Sequence, residues 1–177
     1  KLETVEDNKL SLRYANGSQA KATSAAGDAG RSEALSLLVF DEAAFIDKIE
    51  EIWVSAQSTL STGGNAIVLS TPNGVGNWYH KTWVGAEEGR NDFNTIRLHW
   101  TVHPERDQDW RDEQERLLGP KGAAQECDCD FVSSGIRLST HNFYNSTKIH
   151  TFKSLLKRVD LMETFGSGNI QIILNHI

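Results

Sequence analysis

At 177 residues the chain is long enough for one ordinary domain with a real core. Hydrophobic residues make up 38% and charged residues 24%, a globular balance, and no apolar run approaches the roughly 20 residues of a membrane span. The formal net charge of −6 removes any global basic signature, so contact with nucleic acid would need a local patch.

In chain order, the first readable element is a hairpin. Lys9 to Ala22 alternates loosely (Leu10, Leu12, Tyr14) around Asn16-Gly17, a pair that tolerates positive φ and is a strong short-range hairpin signal. Ser24 to Arg31 is small and Gly-rich and reads as a loop. The apolar run Leu35–Phe40 that follows has the composition of a central strand in a parallel sheet, covered on both faces. It ends abruptly in Asp41-Glu42. Lys48 to Leu60 places Ile49, Ile52, Trp53, Ala56 and Leu60 at amphipathic helical spacing. A second buried strand is expected over Ala66–Ser70, running into Thr71-Pro72-Asn73-Gly74. Strand, helix, strand is a right-handed βαβ unit. A helix over Asn77–Glu88 is expected next, then a third strand over the alternating Thr95–Thr101, which includes His99. A further helix over Asp109–Leu118 is closed by Gly119-Pro120. From Ile136 the chain turns rich in Asn, Ser, Thr, Lys and Ile, and residues 136–177 read as a tail without a specified element. The fold class is α/β.

Ligands of open parallel sheets sit beyond the carboxyl ends of the strands. Both polar loops, Asp41-Glu42 and Ser70 to Gly74, leave such ends. An unpaired buried charge costs several kcal/mol, so an acid pair after a buried run needs either the surface or a cation. Asp41 suits Mg2+, which prefers hard oxygens and keeps several waters. In an extended segment Glu42 projects to the opposite side, where it can orient or deprotonate a water attacking a phosphate. The bland reading is an acid pair at the positive end of the following helix. Ser70, Thr71 and Asn73 are small hydrogen-bonding groups suited to touching a terminal phosphate; an ordinary capped turn is the alternative. Gly74 to Thr82 imitates a phosphate-binding loop, but Trp78, Tyr79 and His80 stand where glycine must precede the lysine, and no G-x-x-x-x-G-K-[ST] occurs in the chain.

Other candidates read as structural. His99, His103, Cys127 and Cys129 lack the paired spacing of a structural zinc site. The Cys127–Cys129 spacing makes a mutual disulfide strained, which suits a reducing compartment. The five tryptophans serve as apolar anchors rather than base-stacking platforms. Lys81, Arg90, Arg97, Arg106 and Arg111 are interleaved with acids and form no basic stripe. The chain opens at Lys1 rather than Met, which fits a fragment or a processed product.

Five blocks in order, "LLVFDEAAFI", "AIVLSTPNG", "NWYHKTW", "HWTVHPERDQDW" and "QECDCDFVSSG", resemble the large terminase subunit of tailed bacteriophages, the DNA-packaging motor, over roughly residues 9–135. The order of all five carries the likeness. The resemblance implies a P-loop NTPase-type, helicase-like, three-layer α/β fold with a mainly parallel central sheet, incomplete at its N-terminal side. It implies that residues 1–135 are the C-terminal part of the ATPase domain, with the Walker A segment before Lys1. Residues 136–177 would be a divergent, truncated or frameshifted tail where the nuclease domain would begin. It further implies Asp41 as Mg2+ ligand, Glu42 as catalytic carboxylate with ATP as substrate, and Ser70, Thr71 and Asn73 as the nucleotide-sensing coupling motif. Arg31 sits where the family often carries an arginine and is a candidate phosphate contact. Implied partners are double-stranded DNA, the portal protein, the small terminase subunit and further copies in a ring, in the host cytoplasm and transiently at the procapsid portal, with no membrane. Two other readings stay open: a non-catalytic interaction module with a degenerate ATPase fold, and another helicase-like nucleic-acid ATPase.

Overall fold

The computed structural model describes residues 3–25, 34–60, 63–132 and 169–174. The described strands form one six-stranded sheet. In chain order they are β1 (Thr4–Asp7), β2 (Ser11–Tyr14), β3 (Gln19–Ser24), β4 (Leu37–Phe40), β5 (Asn65–Val68) and β6 (Asn169–Leu174). Three helices accompany them: α1 (Ile49–Leu60), α2 (Trp78–Glu87) and α3 (Gln108–Glu126). The spatial order of strands is β1-β2-β3-β6-β4-β5. The β1–β2 and β2–β3 pairs are antiparallel, whereas β3–β6, β6–β4 and β4–β5 are parallel. The chain divides into two compact units.

The first unit, residues 1–69 with 140–177, holds the whole sheet and α1. The expected hairpin is present, with a three-residue rather than a two-residue loop. Gly17 donates to the Tyr14 carbonyl and Tyr14 to the Ser18 carbonyl, each at 2.9 Å. Only Gly17 of the pair has positive φ, at 86°, which is a turn followed by a glycine bulge. Asn16 contributes through its side chain instead, its Oδ1 accepting from the Ser18 amide at 3.0 Å. β1, which no sequence signal marked, extends this meander.

The apolar run becomes β4, flanked by β6 and β5, and no residue of it is more than 5% exposed. α1 buries Ile49, Ile52 and Ala56, and its Trp53 ring meets Phe40 edge-on with centroids 6.2 Å apart. Gly64, between α1 and β5, permits a close approach: a Cβ there would lie 2.1 Å from the Leu35 carbonyl oxygen. β5 is parallel to β4 as expected, but it is not a buried strand. It forms the edge of the described sheet, and Ile67 and Leu69 are 40% and 45% exposed. Three of its four residues are apolar; a described neighbour on one side only leaves them partly covered. β6 lies in the stretch read as a tail without an element and pairs with both β3 and β4, from Gln19↔Asn169 to Ser24↔Leu174 and from Leu37↔Ile170 to Phe40↔Ile173.

The second unit, residues 70–139, carries α2 and α3. α3 is two helices meeting at Gly119, whose φ of 74° and ψ of 165° are not helical. Gly119-Pro120 closes the first, as its residue types require, and Pro120 then opens the second, where its fixed φ fits the first turn. The strand expected over Thr95–Thr101 is absent. Residues 93–99 carry no regular secondary structure, and Trp100–Val102 is a short 3₁₀ turn with His99 as its cap. The alternation is real, but no strand lies alongside it among the described residues. Trp100 N–H instead bonds the Cys127 carbonyl at 3.3 Å, and Cys129 Sγ reaches the Leu98 carbonyl at 3.5 Å. Ile96 and Leu98 are left 76% and 72% exposed.

Candidate functional site

At the tip of β4 the chain passes from the fully buried Phe40 to the half-buried Asp41 and Glu42. Two backbone hydrogen bonds fix this tip against the end of β5: Leu69 N–H to the Phe40 carbonyl and Ala43 N–H to the Leu69 carbonyl, both 2.9 Å. The acid pair and the β5 exit therefore share one end of the parallel half of the sheet. Glu42 does not continue the extended strand. Its φ of 56° and ψ of 42° are left-handed, so strand alternation does not set its direction, a correction to the extended geometry expected for it. A non-glycine residue in that region costs about 1–2 kcal/mol, and such outliers persist where the surroundings demand them.

Glu42 does not act as a side-chain cap, and the element it directly precedes is the short 3₁₀ turn Ala43–Phe45. α1 starts later, at Ile49, and carries its own first-turn acids, Glu50 and Glu51. The pair offers hard-oxygen groups, half-buried, at the carboxyl end of a central parallel strand. That donor set fits Mg2+, which needs only one or two carboxylates because water and phosphate oxygens complete its shell. Among the described residues no cluster of three or more Asp, Glu, His or Cys could hold a metal alone.

Ser70, Thr71 and Asn73 follow Leu69 directly in the chain and belong to the second unit. Their loop is tied to the start of α2. Tyr79 donates its hydroxyl to the Ser70 carbonyl at 3.3 Å, and Gly76 N–H bonds His80 Nδ1 at 3.2 Å. Asn77 caps the helix through Oδ1, which accepts from His80 N–H at 2.9 Å. Its Nδ2 turns back to the Asn73 and Gly74 carbonyls at 2.8 and 3.3 Å. Thr71 Oγ1 meets Glu126 Oε1 at the 3.5 Å limit of a hydrogen bond. Arg31 lies outside the described residues.

The second unit also holds a charge cluster that no local signal announced. Arg111, nearly buried, donates Nε and one terminal nitrogen to the two oxygens of Asp128 at 2.8 and 2.6 Å, and the other terminal nitrogen to Glu115 at 3.0 Å. The Arg111 guanidinium holds the Asp128 carboxyl below its usual range, helped by His99 and Trp100, while Asp128 in turn raises Arg111. Asp128 lies 17 residues from Arg111 across the Gly119 kink, which is why spacing did not reveal that pair. Other arginines considered for phosphate contact are also engaged. Arg97 lies over Trp83 at 5.5 Å, Arg106 over Trp110 at 4.4 Å, and Arg90 pairs with Glu88. The tryptophans pack on other rings: Trp83 with Tyr79 and Phe131, and Trp100 with Trp110. Cys127 and Cys129 are free, and burial raises both thiols above their ordinary value, so neither is a ready thiolate ligand or nucleophile.

The architecture is that of an α/β protein with an acid pair at a central strand tip. Residues 2–150 match the family described as terminase large subunit, T4likevirus-type, N-terminal, and the chain belongs to that terminase large-subunit family. A 61-residue stretch is 34% identical to the probable terminase, large subunit gp28 of Escherichia phage Mu, covering 34% of this chain and 11% of that protein. The match thus spans about a tenth of the relative's length. No helix among the described residues is long and apolar enough to cross a membrane.

Proposed function

We propose that the chain is the Walker B and coupling portion of the ATPase of a phage DNA-packaging motor, built on a P-loop NTPase-type, helicase-like three-layer fold. The observation that carries this reading is the placement of Asp41-Glu42 at the carboxyl end of the buried parallel strand β4, hydrogen-bonded to the exit of β5 just before Ser70-Thr71. The left-handed backbone of Glu42 supports it, because a fold seeking stability alone would favour glycine there. On this reading residues 1–135 are the C-terminal part of the ATPase domain, and residues 136–177 stand where a nuclease domain begins.

Asp41 would hold Mg2+, and the bound ion would neutralise charge on the ATP phosphates. Glu42 orients the attacking water and accepts its proton as the new P–O bond forms and the bond to ADP breaks. Ser70, Thr71 and Asn73 register the presence or loss of the terminal phosphate, and Arg31 contacts the phosphates. The working particle is a ring of copies joined to the portal protein and the small terminase subunit, acting on double-stranded DNA in the host cytoplasm at the procapsid. Family membership supports these partners.

The test is Glu42→Gln in a protein in which this chain is joined to a phosphate-binding segment. Turnover of ATP falls at least about a hundredfold, the scale of a lost general base, with nucleotide binding retained. Unchanged turnover removes Glu42 from the role. Binding of DNA and portal without any turnover, even in the parent, favours the non-catalytic module.

A further inference from the structure

We infer that Asn77 is a positioning residue that locks the loop from Ser70 to Gly76 onto the start of α2, so that a change in the loop turns the helix; this rests on the coupling role proposed for Ser70, Thr71 and Asn73. A helix N-cap needs only an acceptor, and serine, threonine or aspartate would serve as well as asparagine. Asn77 uses more than that. Its Oδ1 takes the His80 amide at 2.9 Å, while Nδ2 donates toward two carbonyls, Asn73 at 2.8 Å and Gly74 at 3.3 Å. The orientation of the amide is settled by these partners, since a backbone N–H must meet the oxygen and carbonyls must meet the nitrogen. One half-buried side chain therefore bonds through both ends of its amide and spans loop and helix.

The link is stiff at its far side. Tyr79, one turn-step beyond Asn77, is buried and also holds the loop through Ser70. Its ring packs against Trp83 and Phe131 with centroids 6.3 and 5.9 Å away, and His80 meets Phe131 at 5.0 Å. A displacement of the Asn73–Gly74 carbonyls is thus passed by Asn77 to the first turn of α2 and by the rings to Phe131. Packed elements with two discrete arrangements are the physical means of such transmission.

The chemistry of the amide supplies its own test. Asn77→Asp and Asn77→Ser keep an acceptor for the His80 amide but lose the amide nitrogen that reaches the Asn73 and Gly74 carbonyls. The aspartate sets a carboxylate against those oxygens, and the serine hydroxyl, one atom shorter and engaged as the cap, does not replace the donor. Asn77→Ala loses both functions. In the 177-residue chain, hydrogen exchange of the 70–77 segment should rise about tenfold in the Asp and Ser variants, as expected for a lost hydrogen bond. Their α2 exchange and thermal midpoint should stay near the parent values, with only the Ala variant losing helix protection. Parent-like exchange of the loop in Asp and Ser variants overturns the link and leaves Asn77 as a cap alone. In a packaging-competent large subunit containing this chain, the same two variants should hydrolyse ATP at the parent rate but move several-fold less DNA per ATP. Faster loop exchange with undiminished DNA movement overturns the transmission while leaving the Glu42 assignment standing. Loss of turnover itself would count against the positioning role and place Asn77 in the catalytic site.

Discussion

The two units are held together by different physics. In the sheet unit, Leu37, Leu38 and Phe40 are at most 1% exposed, and the buried residues of the core are mainly aliphatic, with Phe40 meeting Trp53 edge-on. In the helical unit the buried set includes Arg111, bound to the half-buried Asp128 and the exposed Glu115, and much of the remaining order comes from ring contacts around Phe131 and between Trp100 and Trp110. Hydrophobic burial is non-directional and indifferent to pH. A bidentate arginine–carboxylate pair is directional and fails when either member is neutralised or removed. The sheet unit is therefore built as a fixed platform for the acid pair, and the helical unit as the part whose order can be altered by charge.

The largest expected effect separates the two units outright. Ending the chain at residue 150 removes β6, the partner of both β3 and β4, and should cost the sheet unit about 5 kcal/mol or more, comparable with the whole stability of a small domain. Urea unfolding followed by far-ultraviolet circular dichroism would lose the sheet transition; an unchanged transition would mean that β6 is dispensable. Phe40→Ala should cost about 3–5 kcal/mol, whereas Ile67→Ala on the half-exposed β5 should cost about 1 kcal/mol. Equal losses at the two sites would erase the distinction between central and edge strands.

Arg111→Ala should destabilise the helical unit by about 2–3 kcal/mol, because Asp128 is left without its main partner. The pH dependence has a definite sign. The folded carboxyl of Asp128 titrates below its ordinary value, so the stabilisation is complete above the unfolded value of about 4 and is lost as pH falls below it. The urea midpoint of the parent should drop over that range, and the alanine variant should show a shallower drop. The smallest effect is a gain: Glu42→Gly relieves a left-handed backbone and should stabilise by about 1 kcal/mol. A lower midpoint would show that the glutamate side chain contributes more to the fold than its backbone conformation costs.

What the sequence revealed depended on whether the determining partner was local. β4, α1 and the Asn16-Gly17 hairpin follow from runs, periods and turn residues within a dozen positions, and all three are present. The Thr95–Thr101 alternation met the local requirement for a strand, but among the described residues no strand pairs with it. β5 had the right residues, and its edge position decided its exposure. β6, the Arg111–Asp128 pair and the reach of Asn77 back to the loop depend on contacts across the fold. Asn77 was visible as a helix start, but a cap motif does not disclose what the second half of an amide will bond.

The placement of β6 also sets a timetable. The two strands it separates are synthesised more than a hundred residues earlier, and chains dominated by such distant pairings assemble slowly. Until Leu174 has left the ribosome, the β1–β3 meander and the β4–β5 pair can exist only as separate pieces with open flanks, each inviting wrong neighbours. Assembly of this sheet thus waits on β6, and holding chaperones have their greatest value in that interval.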